Sequence, residues 1–175
     1  MLYNEIEEKY KGQIGKLLRY LWFMWICSFG AIIVLVLTCE ILGDSFRQAM
    51  STDVTLSRLI PIFAVITIVS QVAAVLVRKL FLSGKLNKFY KMSLKHGGGD
   101  VPKFVVMCKG GLYMPAVVSS MPAYLGFVSF MLGAERWQFY VFIIIAALGM
   151  IYNRPKRDDI IDYIITDQKA LEEIE

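Results

Sequence analysis

The acid closest to an apolar setting in this sequence is Glu40. It stands near the end of a long apolar run that closes at Leu42, with Asp44 just beyond and Arg58 at the start of the next run. An ionisable group inside such a run is a functional candidate by default. Glu40 could hold a proton or a cation opposite Arg58, or it could reach the polar interface at the end of the run. Its place near that end favours the second.

Other groups offer less chemistry. Ser119 and Ser120 have no histidine or acid near them in sequence, so no nucleophile–base pair is in view. The stretch His96-Gly97-Gly98-Gly99-Asp100 has the glycines of a phosphate loop but neither a preceding strand nor a following GK[ST]. The lone histidine has no second ligand beside it. Cys27, Cys39 and Cys108 read as small apolar residues, and none lies in a stretch where oxidation would favour a disulfide. No catalytic, metal or cofactor site is expected, and the chain is read as a non-enzyme. No carboxylate or histidine lies deep in an apolar run, which counts against proton-coupled transport.

The basic residues form the clearest pattern. Wound as a helix, Lys85, Lys88, Lys91 and Lys95 fall within about 120° of one another. Leu86, Phe89, Tyr90 and Leu94 take the other side. A basic face opposite an apolar one suits docking on anionic lipid headgroups. The same lysines would also serve simply to fix topology.

The elements that carry these residues follow from the apolar content. Of the 175 residues 57% are apolar and the mean hydropathy is +0.54, against about 45–50% apolar in soluble domains. Four runs hold the excess, at 17–42, 59–82, 111–132 and 137–152. A helix of about 20 apolar residues crosses a bilayer core, and Ala31–Leu37 and Val141–Leu148 carry no polar residue at all. A soluble helix would show a polar stripe. The expectation is an all-α polytopic membrane protein, four transmembrane helices in two hairpins, with amphipathic cytoplasmic segments. The first run is too long for the apolar region of a signal peptide, and no small-residue cleavage site follows it, so it reads as a retained span.

Lys and Arg set the orientation. The segment 1–16 and its flank, the connection 83–110 with its flanks, and the tail 154–175 together hold 16 of them, against Arg47, Arg58 and Arg136 on the other side. Both termini and the middle connection are therefore expected in the cytoplasm. The net charge of +4 is ordinary for such a protein and implies no nucleic-acid role.

Local signals refine this plan. Leu2, Ile6 and Tyr10 recur at helical spacing, so residues 1–16 are expected as an interfacial helix that turns inward near Gly15. Tyr20, Trp22 and Trp25 would then lie at headgroup level, with Trp137, Phe139 and Tyr140 at the opposite interface. Gly43 to Ser57 reads as a polar loop, with Pro61 in the first turn of the second span. Asp100 and Pro102 suit the start of the third span, and Gly133 to Arg136 reads as a tight turn.

The third run is unusual. Pro115 and Pro122 each remove a backbone hydrogen bond and are expected to kink it, with Ser119 and Ser120 placed to satisfy freed carbonyls. Gly111, Ala116, Ser119, Ala123 and Gly126 recur at helical spacing, which lets neighbouring helices approach closely. This helix is expected at the centre of the bundle. The tail has Ile160, Ile161, Ile164, Ile165, Leu171 and Ile174 among acids, as an amphipathic helix on the membrane or on a partner would.

The two halves share one plan, an outward span, a short outer loop and a return to a basic exit, but little residue identity. A pair of hairpins is similar to a doubled rotor-ring proteolipid of ATP synthases; the glycine face and mid-membrane carboxylate of that family are missing here. The stretch Met121-Pro-Ala-Tyr-Leu-Gly-Phe-Val-Ser-Phe-Met-Leu-Gly133, with Phe139-Tyr140 and the Arg154-Pro155 exit, resembles small uncharacterised bacterial four-span inner-membrane proteins. That resemblance implies a bacterial inner membrane and no particular activity. The partners expected are the lipid bilayer and other membrane proteins or further copies of the chain. Its expected role is that of an accessory, assembly or structural subunit; a small channel or carrier built on the third helix, or an anionic-lipid-binding protein, are the alternatives.

Overall fold

A computed structural model describes residues 3–49, 53–83 and 103–172 of the chain, and every element among them is a helix. They are α1 (Tyr3–Ala49), α2 (Asp53–Leu82), α3 (Lys103–Met131), α4 (Arg136–Tyr152) and α5 (Arg157–Glu172). The spans of α1, α2 and α3 that are long and apolar enough to cross a membrane are Tyr10–Gly43, Leu59–Leu82 and Cys108–Met131. α4 is shorter, and it meets α5 at a bend of 55° that allows the pair to count as a fourth, broken span.

The apolar runs give helices, but two polar stretches depart from expectation. α1 is one helix of 47 residues, with no turn at Gly15. The reason is a stripe: Tyr10, Ile14, Leu17 and Leu21 repeat at helical spacing and pack on one face against α5 and α3, so the same face runs on through Gly15. The expected loop over Gly43–Ser57 is helical at both ends, to Ala49 and again from Asp53. Polarity there marks the end of the apolar stretch, not the end of the helix. Pro61 consequently sits inside α2 rather than in its first turn.

Helix α3 packs against α1, α2, α4 and α5, while α1 and α2 each pack chiefly on α3. Half of its apolar window is buried within the chain, against 17% for each of α1 and α2. Small residues permit this. Ala116, Ser119 and Ala123 are buried, and a Cβ on Gly126 would come within 2.6 Å of the Phe142 Cβ. Gly111 does the same for α2. The Phe81 ring lies where a Gly111 side chain would be and stacks on Tyr163 of α5, centroids 4.7 Å apart. Pro115 and Pro122 are both buried within α3, which runs past them as one unbroken helix.

The tail helix does not stand free on a membrane. Its residues Ile160, Ile161, Tyr163 and Ile164 form one core with Ile14, Leu17, Leu21, Phe81, Cys108 and Leu112. The turn between α3 and α4 closes tightly. Gly133, at φ 104°, ends α3, with its N–H on Phe130 O and the Ala134 N–H on Ser129 O. That pair of bonds is the Schellman pattern, which needs a left-handed residue. The Glu135 N–H then donates to Gln138 Oε1 and opens α4.

Two glycine substitutions should separate close approach from helix propensity. Gly111→Ala puts a methyl 2.0 Å from the Phe81 ring and should lower stability by about 1–3 kcal/mol. Gly30→Ala meets nothing within 4 Å and should raise it by about 0.5–1 kcal/mol. Thermal unfolding of the detergent-solubilised protein checks both.

Candidate functional site: a polar knot at the end of helix α4

Helix α4 has 17 residues, about 25 Å at 1.5 Å per residue. A helix leaves its last four carbonyls without partners in the helix itself, and here two neighbouring helices and the chain's own exit supply the donors. Each one is met. Gly149 O accepts from Asn153, through its backbone N–H and its Nδ2, both at 3.0 Å. Met150 O accepts the Trp25 indole N–H of α1 at 2.9 Å. Ile151 O takes the Arg154 N–H at 3.4 Å. Tyr152 O accepts Arg78 Nη1 of α2 at 2.8 Å.

Arg78 is the centre of this arrangement. It is 8% exposed, and its other nitrogen donates to Asp159 in the first turn of α5. A cation at the C-terminus of α4 and an anion at the N-terminus of α5 both match the helix dipoles. One guanidinium therefore joins three helices and fixes the bend between the last two. The pair is nearly enclosed, with side chains 10% and 14% exposed.

A layer of amide and hydroxyl groups adjoins it. Gln71 Nε2 donates to Ser119 O at 3.1 Å, and Asn153 Nδ2 donates to Ser119 Oγ at 2.8 Å. Gly149 leaves room for the Gln71 amide, whose Oε1 would be 2.1 Å from any Cβ there. Ser119 thus links α2 to the end of α4. Ser120 instead donates back to Val117 O at 2.7 Å, not to Val118 O, the carbonyl that Pro122 frees. Among the described residues the buried Asn153 Oδ1 and Thr67 Oγ1 have no hydrogen-bond partner, at a cost of about 1–3 kcal/mol each.

Glu40 lies elsewhere, at the other end of α1. Its Oε1 accepts the Tyr140 hydroxyl, and its Oε2 is 3.8 Å from Arg136 Nη1. The acid fastens α1 to α4. Its partners come from α4, and the side chains of Asp44 and Arg58 are outside those described. Below it Cys39, Phe130 and Phe139 form a small buried core. Phe139 is therefore interior and not an interface aromatic, while Trp137 is exposed. Trp25 is half-buried, with its indole N–H bonded to Met150 O of α4.

Lys85, Lys88, Lys91 and Lys95, with Asp100 and Pro102, lie outside the described residues. Among the described residues no three His, Cys, Asp or Glu side chains gather as a metal site would need. Two of the most constrained side chains, Arg78 and Asn153, are absent from the candidate residues that sequence reasoning gives. A signal for Arg78 exists: Thr67, Gln71, Ala74, Arg78 and Phe81 repeat every four and three residues, one face of α2.

Breaking the Arg78 clamp should be costly. Arg78→Met leaves the half-buried Asp159 unpaired and should destabilise the chain by about 2–4 kcal/mol, toward the lower side of the cost of breaking a buried pair. Arg78→Met with Asp159→Asn should recover part of that loss. Tyr140→Phe, at the outer tie, should cost only about 0.5–1.5 kcal/mol. Denaturation midpoints in detergent, read for the four proteins side by side, check this ranking. No protein-family model matches the chain, and comparison with curated proteins and with solved structures finds no significant match.

Proposed function

We propose that this chain is a polytopic integral membrane protein that crosses the bilayer four times, with both termini and the 84–102 connection in the cytoplasm. The source membrane is proposed to be a bacterial inner membrane. Its role in this reading is non-enzymatic: an accessory, assembly or structural subunit that works beside other membrane proteins or further copies of itself.

The observation that carries the reading is the contrast between outer faces and interior. α1 and α2 turn broad apolar faces outward, with Phe23, Ile33, Val34, Leu37, Ile68 and Val69 all more than half exposed. Lipid or a neighbouring transmembrane helix would cover such faces; water would not. Meanwhile several polar side chains inside the bundle tie one helix to another. Gln71, Arg78, Ser119 and Asn153 bind carbonyls or one another. The excess of Lys and Arg on one side of the helices supports the orientation.

Native mass spectrometry after gentle extraction from the source membrane tests the role. A stoichiometric complex with other membrane proteins, or a defined homo-oligomer, is expected. A lone monomer that supports ion flux in vesicles, lost on Glu40→Gln or Pro122→Ala, would instead establish the channel or carrier. Orientation has its own check. A cysteine placed at position 135 of a chain lacking Cys27, Cys39 and Cys108 should react with an impermeant maleimide from the outer side of intact cells, and one at position 156 should not.

A further inference from the structure

Four cations of α1, α2 and α3 stand within two residues in sequence of members of the core that α5 completes. Lys16, Arg19, Lys79 and Lys109 are exposed, and among the described residues none of them forms an ion pair. One of them lies against an aromatic side chain. The Lys109 Nζ of α3 lies 4.6 Å from the centre of the Tyr20 ring of α1. Lys16 is one turn before Tyr20 on the same side of α1. With Lys16 on α1 and Lys109 on α3 both exposed, an anion lying beside the Tyr20 ring has a cation available from each helix.

The surface next to this pair is apolar. Tyr20 is 43% exposed, and Phe23, one turn further along α1, is 64% exposed. The exposed face then continues through Ile26 and Ile33. A ligand that satisfies the whole of it has an anionic head and an apolar tail.

We infer that Lys16, Tyr20 and Lys109 form a binding site for the headgroup of an anionic phospholipid, between α1 and α3. The phosphate meets the two ammonium groups, and an acyl chain lies along Phe23. The Lys109–Tyr20 contact holds one cation in place before the lipid arrives. This site is separate from the lysines of the 84–102 connection, and it rests on the reading of the chain as a membrane protein.

Native mass spectrometry of the full chain, released from nanodiscs of mixed phosphatidylglycerol and phosphatidylcholine, reads the retained lipid. Phosphatidylglycerol should be retained in preference. Lys16→Gln and Lys109→Gln should each reduce that retention roughly fivefold, the equivalent of about 1 kcal/mol per cation. Tyr20→Leu should also reduce it. Lys79→Gln, on α2, which packs chiefly on α3 and not on α1, should leave it unchanged. All four substitutions are at exposed positions, and unaltered thermal unfolding shows that each variant folds. Equal retention of the two lipids would overturn the inference, as would a loss in Lys79→Gln matching that in Lys109→Gln. Capture of an acidic protein segment in place of lipid would overturn it too. Alkaline carbonate extraction separates this from the parent reading: an extractable chain refutes both, while an embedded chain without lipid preference refutes only the site.

Discussion

A helix that stops among other helices has a problem that one ending in water does not. Its final carbonyls keep their lone pairs, and each one buried without a donor costs a large fraction of a domain's net stability. Helix α4 ends in this way, and the rest of the bundle is arranged around the remedy. α1 supplies an indole, α2 a guanidinium, and the chain's own exit supplies Asn153 and Arg154. Because Arg78 also needs an anion, α5 must start close by with Asp159. The positions of α1, α2 and α5 around the end of α4 are thus tied to one set of donors and acceptors.

Apolar packing is secondary in specifying those positions but larger in extent. α3 gives up side-chain volume at Gly111, Ala116, Ala123 and Gly126, and its neighbours fill the space with Phe81 and Phe142. In the proposed membrane setting, close packing and polar ties would replace the drive to leave water. The two devices meet in α2. Phe81 lies against Gly111 three residues beyond Arg78, so one face of a single helix carries both.

The three long apolar helices were legible in the sequence because runs of twenty or more apolar residues admit few other structures. The short run at 137–152 instead gives a helix of 17 residues that reaches span length only together with α5, across a 55° bend. The stripe through Tyr10, Ile14, Leu17 and Leu21 was also on the page, but Gly15 within it reads as a turn when its neighbours are considered one by one. The segments beyond Gly43 were misread because polar residues such as Ser45 and Gln48 are compatible with helix once the apolar phase ends. The knot was hidden for a different reason. Arg78 stands next to Lys79, and as a pair they look like the usual basic exit of a span. A rotation of 100° about the helix axis sends the first inward and leaves the second in water. Its partners Tyr152 and Asp159 are more than 70 residues away, and no local pattern names them.

That separation gives the chain an order of assembly. Arg78 leaves the ribosome 81 residues before Asp159. Through that interval its charge is unneutralised and can act, on the proposed topology, as one of the cytoplasmic anchors that hold α2 in orientation. When α4 and α5 follow, the same charge is drawn into the knot and withdrawn from the surface. On that topology one residue would serve first as a topogenic signal and then as an internal latch, its contacts to α4 and α5 forming only once those helices have been made.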